Sequence, residues 1–400
     1  MKVLMINVVC GIRSTGRICT DLAVELEKQG HEVKIAYGRF DVPEKFKKYA
    51  VRIGSDNSVK VNALKARAFD NEGLNAVGAT KKFLKWVKEY NPDVIHLHNI
   101  HGYYLNYPLL FAYLRTCGKK IIWTLHDCWA FTGHTAYCDA IGCEKWKTGC
   151  NHCPQIKEYP KAVIDQSERN WKLKKKCLTS ISNMTIVTPS QWLAGLVKES
   201  FLGEYPVEVI HNGIDTSQFQ PLANDFREAH GIADKKMLVG VATAWDENKG
   251  YSDYLKLADM LGDQYQVVLV GVTEEQKKAL PGNVMGITRT NSVKELAMIY
   301  SAADIVLNLS KTENYPTVNL EAMCCGTPVI TYDVGGSKES VEPAGGIVVK
   351  KGDLEAVADA VRSNAARGCI DRESSDNVRT VNGYVQIVQN RGGTGLLRNT

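Results

Sequence analysis

No stretch of this chain is apolar for the length that a membrane-spanning helix needs. The opening run, Met1 to Val9, is too short for a secretory signal and has neither its basic front nor its small-residue cleavage site. It reads as a first buried strand, and the protein is expected in the cytoplasm. No internal repeat is evident, which argues against solenoids and propellers. A Walker phosphate loop is missing, because no glycine-rich turn here ends in Lys-Ser or Lys-Thr. Asp-x-Asp, a common carboxylate pair for a catalytic metal, does not occur.

What is present belongs to a soluble globular class. The 400 residues exceed what one hydrophobic core normally serves, so two domains are expected. Apolar residues make up 44% and charged residues 23%, both ordinary proportions. The formal charge of +5 is concentrated: between Cys143 and Cys177 nine basic residues face four acidic ones, so the rest of the chain balances to zero. A local basic face suits an anionic partner such as lipid headgroups or a pyrophosphate-linked acceptor, and equally suits a solvated helix.

Strand-like and helix-like segments alternate from the first residue, the signature of parallel sheets covered on both faces. The first series includes Lys2 to Val9, His31 to Ala36, Val94 to His98, Ile121 to Leu125 and Met184 to Thr188. Ser190 is placed as an N-cap for a helix over Gln191 to Glu199. The texture turns small and polar around Phe201 to Tyr205, a plausible hinge. A second series then begins at Val207 and runs through Met237 to Ala242, Gln266 to Gly271, Asp304 to Leu309 and Thr327 to Tyr332. The expected division is 1–200, with a cysteine-rich insertion at 128–153, then 201–370, then an atypical tail at 371–400, either a disordered end or an unrelated reading of the coding sequence. That tail lacks sustained helical periodicity and contains Gly392-Gly393-Thr394-Gly395.

The most informative segment is Ser310 to Met323. It places two carboxylates, Glu313 and Glu321, eight positions apart where a strand ends and a helix begins. Open α/β sheets bind ligands at that end of their strands. The helix start around Asn314, Tyr315, Pro316 and Thr317 offers backbone N–H groups to a phosphate, and a carboxylate can accept from sugar hydroxyls.

Glu313-x7-Glu321, followed by Ala-Met-x-x-Gly-Thr-Pro-Val-Ile, resembles the donor-site motif of retaining glycosyltransferases of family 4. The resemblance runs from the first strand to about residue 365. It implies an α/β chain of GT-B architecture, two Rossmann-like, doubly wound domains facing an interdomain cleft. It implies that Glu313 lies against the donor sugar and Glu321 against the nucleotide ribose of a UDP- or GDP-sugar. Gly16, in the loop Cys10 to Ile18, matches a position near the donor phosphates, and His126 matches a sugar-contacting histidine. Lys249 matches a lysine that clamps the diphosphate; Trp245 stands about where the family has an arginine, and Arg289 is the substitute cation. No cofactor is needed for catalysis in such enzymes. The overall appearance is similar to bacterial enzymes that build cell-surface polysaccharide on lipid-linked or saccharide acceptors, peripheral on the inner membrane face.

Cys138, Cys143, Cys150 and Cys153 are spaced like a structural Zn²⁺ site in a loop with little apolar content. Other classes remain open. A non-catalytic sugar-nucleotide-binding subunit would bind donor without turnover. A zinc-containing nucleic-acid-binding protein would leave Glu313 and Glu321 unexplained, so no nucleic-acid partner is expected. A GT-B epimerase or phosphorylase is a minor option.

Overall fold

The computed structural model describes residues 1–363 and 375–389. Two parallel sheets organise them. The first takes β1 (Lys2–Asn7), β2 (Glu32–Tyr37), β3 (Ala50–Arg52), β4 (Val94–Leu97), β5 (Lys120–Thr124), β6 (Met184–Thr188) and β7 (Val207–Val209) in the order β3-β2-β1-β4-β5-β6-β7. The second takes β8 (Lys236–Val241), β9 (Tyr265–Val270), β10 (Val284–Ile287), β11 (Ile305–Asn308), β12 (Val329–Tyr332) and β13 (Ile347–Val349) in the order β10-β9-β8-β11-β12-β13.

Why these segments pair in parallel is legible in their side chains. Along β1, Leu4 and Ile6 enter one hydrophobic cluster while Val3 and Met5 enter another on the opposite face. Along β8, Leu238 faces one cluster while Met237 and Val239 face a second. A strand buried on both sides has no polar face to offer water and needs helices above and below, which parallel crossovers supply. Each sheet reverses its strand order once, between β1 and β4 and between β8 and β11. Those two switch points set the crevice.

Polar contacts join the lobes at that crevice. Glu339 of the second lobe accepts from the backbone N–H groups of Gln191 and Trp192, both at 2.7 Å, and so caps the first lobe's helix Gln191–Glu199. Ser190, whose hydroxyl oxygen accepts from Leu193 N at 3.1 Å as the N-cap, also donates to Asn314 Oδ1 at 2.6 Å.

Two expectations about the chain's division need correction. Val207–Val209 does not open the second series: it pairs with β6, Ile186 opposite Val207, and completes the first sheet. The first lobe therefore extends past residue 200, because the edge of β6 is filled by the strand that follows it directly. The segment 375–389 is also not an irregular tail. Asn377–Gln389 is a helix that returns to the first lobe, where Val381 and Tyr384 are buried among Val3, Met5, Ile18 and Leu22. Tyr384 Oη lies 3.0 Å from Thr124 Oγ1 at the end of β5. The helix tolerates Gly383 because its bare Cα packs on Ile210, 3.3 Å from where a Cβ would stand. Tertiary burial overrides a weak local pattern here. The remainder of the expectation for 371–400, and the boundary at 370, lie outside the described residues.

Candidate active site

The interlobe cleft has a volume of about 550 Å³. The loops after β1 and β5 line one wall, and those after β8, β10 and β11 line the other. Glu313 follows β11 in a loop held close to its neighbours. Asn248 O accepts Lys311 N at 2.8 Å, and Thr312 donates to Asn248 Oδ1 at 2.9 Å. Gly335 backs the same loop: a Cβ there would sit 1.7 Å from Glu313 O, so only glycine lets the chain pass.

Lys249 closes the 3-10 turn Glu247–Lys249, fixed by Asp246 Oδ1 accepting Lys249 N at 2.9 Å. Gly250 then turns with φ +75°, and a Cβ on it would meet Leu309 O at 2.2 Å. That turn aims the Lys249 ammonium at Glu313 Oε1, 2.6 Å away. Glu321 lies in the helix Thr317–Cys324 and is nearly inaccessible, with 3% of its side chain exposed. Its Oε2 accepts from Tyr300 Oη at 3.0 Å, and Arg17 Nη2 reaches Oε1 from the opposite lobe at 3.4 Å. The two carboxylates, one ammonium and a helix start thus share one cavity.

His126 is half-buried in the opposite wall, its Nε2 3.0 Å from His98 Nδ1. Desolvation, opposed by the Asp127 carboxylate and aided by a smaller push from His101, brings its pKa down to about 4, so the ring is neutral at physiological pH. Asp127 also lines the cleft; its carboxylate engages His101 Nε2 at 2.9 Å and accepts Trp129 N at 2.9 Å. Burial opposes that charge, but His101 wins and holds the carboxyl below its usual range.

Other anticipated residues take different positions. Arg289 lines the cleft from the loop after β10 and is exposed. Pro316 and Thr317 line it at the helix start. Asn314 lines it too, but its amide is engaged between lobes, donating to His126 O at 3.2 Å while accepting from Ser190. Tyr315 stacks on His211 with ring centroids 4.5 Å apart, a contact at the crossover between lobes. Gly16 does not itself line the cavity although Ser14, Thr15 and Arg17 do; a Cβ on it would strike Val9 Cγ2 at 2.9 Å. Trp245 is turned inward. Its Nε1 donates to Val270 O at 3.0 Å and its ring meets Tyr254 edge-on at 5.0 Å, beneath the cavity rather than in it. An indole has one polar atom to satisfy, and the core satisfies it.

Arg13 and Arg17 were not singled out from the sequence, yet both line the cleft. The signal was a pair of arginines bracketing Ser14, Thr15 and Gly16; what hid the role of Arg17 was that Glu321 lies 304 residues away in sequence, in the other lobe. Among the described residues, no group of three or more His, Cys, Asp and Glu side chains is arranged to hold a metal ion as it stands. Cys138, one of the anticipated set of four thiols, is buried with Cys128 in the first-lobe core.

Two lobes of this kind facing one cleft define the GT-B class of glycosyltransferases. The profile described as Glycosyltransferase Family 4 matches residues 15–218, and that described as Glycosyl transferases group 1 matches residues 223–373. The chain belongs to glycosyltransferase family 4. A protein of Escherichia coli (strain K12) named for colanic acid biosynthesis, the glycosyl transferase WcaC, is 29% identical over 275 residues. That alignment takes in 66% of this chain and 65% of WcaC, so the chain spans just under two thirds of this relative's length. Among solved structures, sucrose-phosphate synthase from Thermosynechococcus elongatus superimposes with a TM-score of 0.67 at 18% identity, covering 97% of this chain and 96% of that one. Anabaena Alr3699/HepE in complex with UDP-glucose gives 0.61 at 16% identity, covering 97% and 95%. At these identities the likeness is one of fold.

Proposed function

We propose that the chain transfers a sugar, with retention of anomeric configuration, from a UDP- or GDP-sugar to a saccharide acceptor. The observation that carries this reading is the convergence of Glu313, Glu321 and Lys249 in one interlobe cleft. Glu313 holds the donor sugar by accepting from its hydroxyls, and Glu321 Oε1 exchanges Arg17 for the ribose. Lys249, Arg289 and the helix start at Pro316 and Thr317 stabilise the diphosphate as it leaves. The bond from the anomeric carbon to the phosphate oxygen breaks while the acceptor oxygen bonds to the same face of that carbon. The acceptor's proton passes to the departing phosphate, so no carboxylic acid of the glycosidase kind is required. His126, a neutral imidazole, is placed to hydrogen-bond the sugar or the phosphate. The HepE complex supports a nucleotide-sugar donor for this fold.

The acceptor is a lipid-linked or polysaccharide intermediate of cell-surface polysaccharide synthesis, met at the inner face of the membrane. The name of WcaC and the basic stretch from Lys145 to Lys176 support this. That stretch is less free than its count suggests. Lys174 is buried against Trp129, and Lys147 is paired with Glu144 and Glu199, both at 2.7 Å. Arg169, Lys172 and Lys176 border a shallow second cavity. Among the described residues, no helix is long and apolar enough to cross a membrane. Trp245, whose departure from the family arginine is one ground for a non-catalytic subunit, is satisfied in the core of the second lobe.

The test is to incubate the protein with a panel of UDP- and GDP-sugars and lipid-linked acceptors, reading nucleoside diphosphate release and the anomeric proton of the product. Release with an inverted product rejects retention, and no release with any donor rejects transfer. Flotation with anionic liposomes tests the membrane: failure to bind at low salt removes it.

A further inference from the structure

The helix Asp56–Phe69 turns an apolar stripe to water. Val59, Asn62 and Ala66 form its buried face. On the opposite side Val61, Leu64 and Ala68 follow one another at three- and four-residue steps, and Leu64 is 68% exposed. Phe69 is exposed at the helix end. Lys65 flanks the stripe on one edge, Lys60 and Arg67 on the other. A surface helix ordinarily does the reverse, with its apolar side chains inward and its charges along the middle of the outer face.

A second segment extends the stripe. Arg67 O accepts Val163 N at 2.8 Å, so the loop before the helix Ser167–Leu178 runs against the end of Asp56–Phe69. Val163 is 79% exposed, and Ile164 beside it is exposed as well. Both segments are held in place. Ser55 and Ser58 cap the helix start reciprocally. At its other end Asp70 is buried, its carboxylate bonded to His134 Nδ1 at 2.6 Å and accepting Gln166 N at 2.9 Å. Contiguous exposed apolar side chains of this kind mark an interaction surface.

Charge selects the occupant. Across 57–69 and 157–164 the charged residues are Lys60, Lys65, Arg67, Lys157 and Lys161 against Glu158 alone. Among the described residues none of the five cations is paired with a carboxylate. Apolar side chains set between basic ones match an anionic bilayer: the first enter the headgroup boundary and the second meet lipid phosphates. The face also leads to the cleft. Asn62 donates to Tyr103 O at 2.9 Å, and the Arg39 guanidinium lies over the rings of Tyr103 and Phe40, 5.8 and 4.9 Å from their centroids. Arg13, which lines the cleft, lies 4.6 Å from the same Phe40 centroid. We propose that the outer face of Asp56–Phe69, with Val163 and Ile164, docks on an anionic lipid bilayer and brings the first-lobe side of the cleft to its surface. This rests on the reading of a lipid-linked acceptor. It moves the contact away from the helix carrying Lys172 and Lys176, where no large apolar side chain is exposed.

The experiment is flotation of the full chain, without donor or acceptor, on vesicles of equal parts phosphatidylglycerol and phosphatidylcholine and on vesicles of phosphatidylcholine alone. The wild type is expected to float with the anionic vesicles and to partition at least ~10-fold less onto the neutral ones. Leu64→Ser with Val163→Ser, and separately Lys60→Gln with Lys65→Gln, lower partition onto the anionic vesicles at least ~10-fold. Lys172→Gln with Lys176→Gln removes the same charge elsewhere and stays within ~2-fold of the wild type. A wild type that does not float overturns the proposal, and so does a Leu64→Ser, Val163→Ser protein that floats as the wild type does. A wild-type dimer seen by light scattering, abolished in that variant and accompanied by no flotation, gives the face to a second copy of the chain instead. Nucleoside diphosphate release with a water-soluble saccharide acceptor is unchanged in the Leu64→Ser, Val163→Ser protein, which also shows that it folds. Absence of that release from the wild type rejects transfer and leaves the flotation result standing.

Discussion

Lys249 and Glu313 meet at 2.6 Å across the mouth of the second sheet, one from the turn after β8 and the other from the loop after β11. The proposed donor site therefore holds its own counter-ion pair before any ligand arrives. A diphosphate entering the cleft competes for the ammonium, and a sugar hydroxyl competes for the carboxylate. Each charge keeps the other oriented in the meantime.

Glu313→Ala should therefore remove transfer and spare the fold. Loss of one aligned charged group at the reacting centre corresponds to a fall in kcat on the order of 10²- to 10³-fold. Lys249 is 36% exposed, so water replaces its lost partner and stability changes by about 1 kcal/mol at most. Steady-state kinetics and thermal unfolding on one preparation check both halves. Activity near wild type would reject the role given to this carboxylate.

Trp245→Arg distinguishes a core residue from a misplaced donor ligand. If the position faced the diphosphate, restoring an arginine would tighten donor binding. The indole instead lies under the sheet, bonded to Val270 O. A guanidinium there is buried without a partner, at a cost on the order of 3 kcal/mol or more. The expected result is a lower unfolding midpoint and no gain in donor affinity.

Tyr384→Phe probes the returning helix. Its hydroxyl and that of Thr124 lie 3.0 Å apart, both buried. Removing the Tyr384 hydroxyl takes one of two partners from Thr124 Oγ1, which keeps His96 Nε2 at 2.8 Å, and should cost about 0.5–1.5 kcal/mol in urea unfolding. The double variant Tyr384→Phe, Thr124→Val should lose more, because His96 Nε2 is then buried without its partner.

Acidification should destabilise the protein through histidines that burial keeps neutral, against an opposing contribution from Asp21, whose carboxyl burial raises to about 6. His126 is held at about 4 by burial, below its ordinary 6.5, and His96 at about 3 for the same reason. The unfolded chain therefore binds more protons between those values. Stability falls as pH drops from about 6.5 toward 4, by on the order of 3 kcal/mol for His126 alone. His101 has the opposite sign: burial opposes its proton, but Asp127 prevails and raises the pKa, so it favours the fold at lower pH. Chemical unfolding at a series of pH values reads the net slope, expected to be positive with pH in that window.

Much of this was legible in the chain. Alternating apolar segments gave both sheets, and the spacing of Glu313 and Glu321 located the strand end and helix that carry them. Local chemistry also placed Ser190 as a cap. Features set by distant contacts were not legible. Nothing near Arg17 indicates Glu321, and nothing near His134 indicates Asp70. The direction of Trp245 depends on an acceptor in β9, and the helix at Asn377–Gln389 is stabilised by a surface built from β1 and the helix Arg13–Lys28. Lys174 reads as one of a run of surface lysines, and only the fold reveals that its ammonium is buried over Trp129.

The most direct measurement is calorimetric titration of UDP and GDP into the wild type and into Lys249→Ala. Saturable one-site binding by the wild type, weakened at least ~10-fold by the substitution, is the predicted result, since one charge-assisted contact is worth about 1.5–3 kcal/mol. Absence of binding by either nucleotide, or equal affinity in the two proteins, would contradict a diphosphate seated at Lys249.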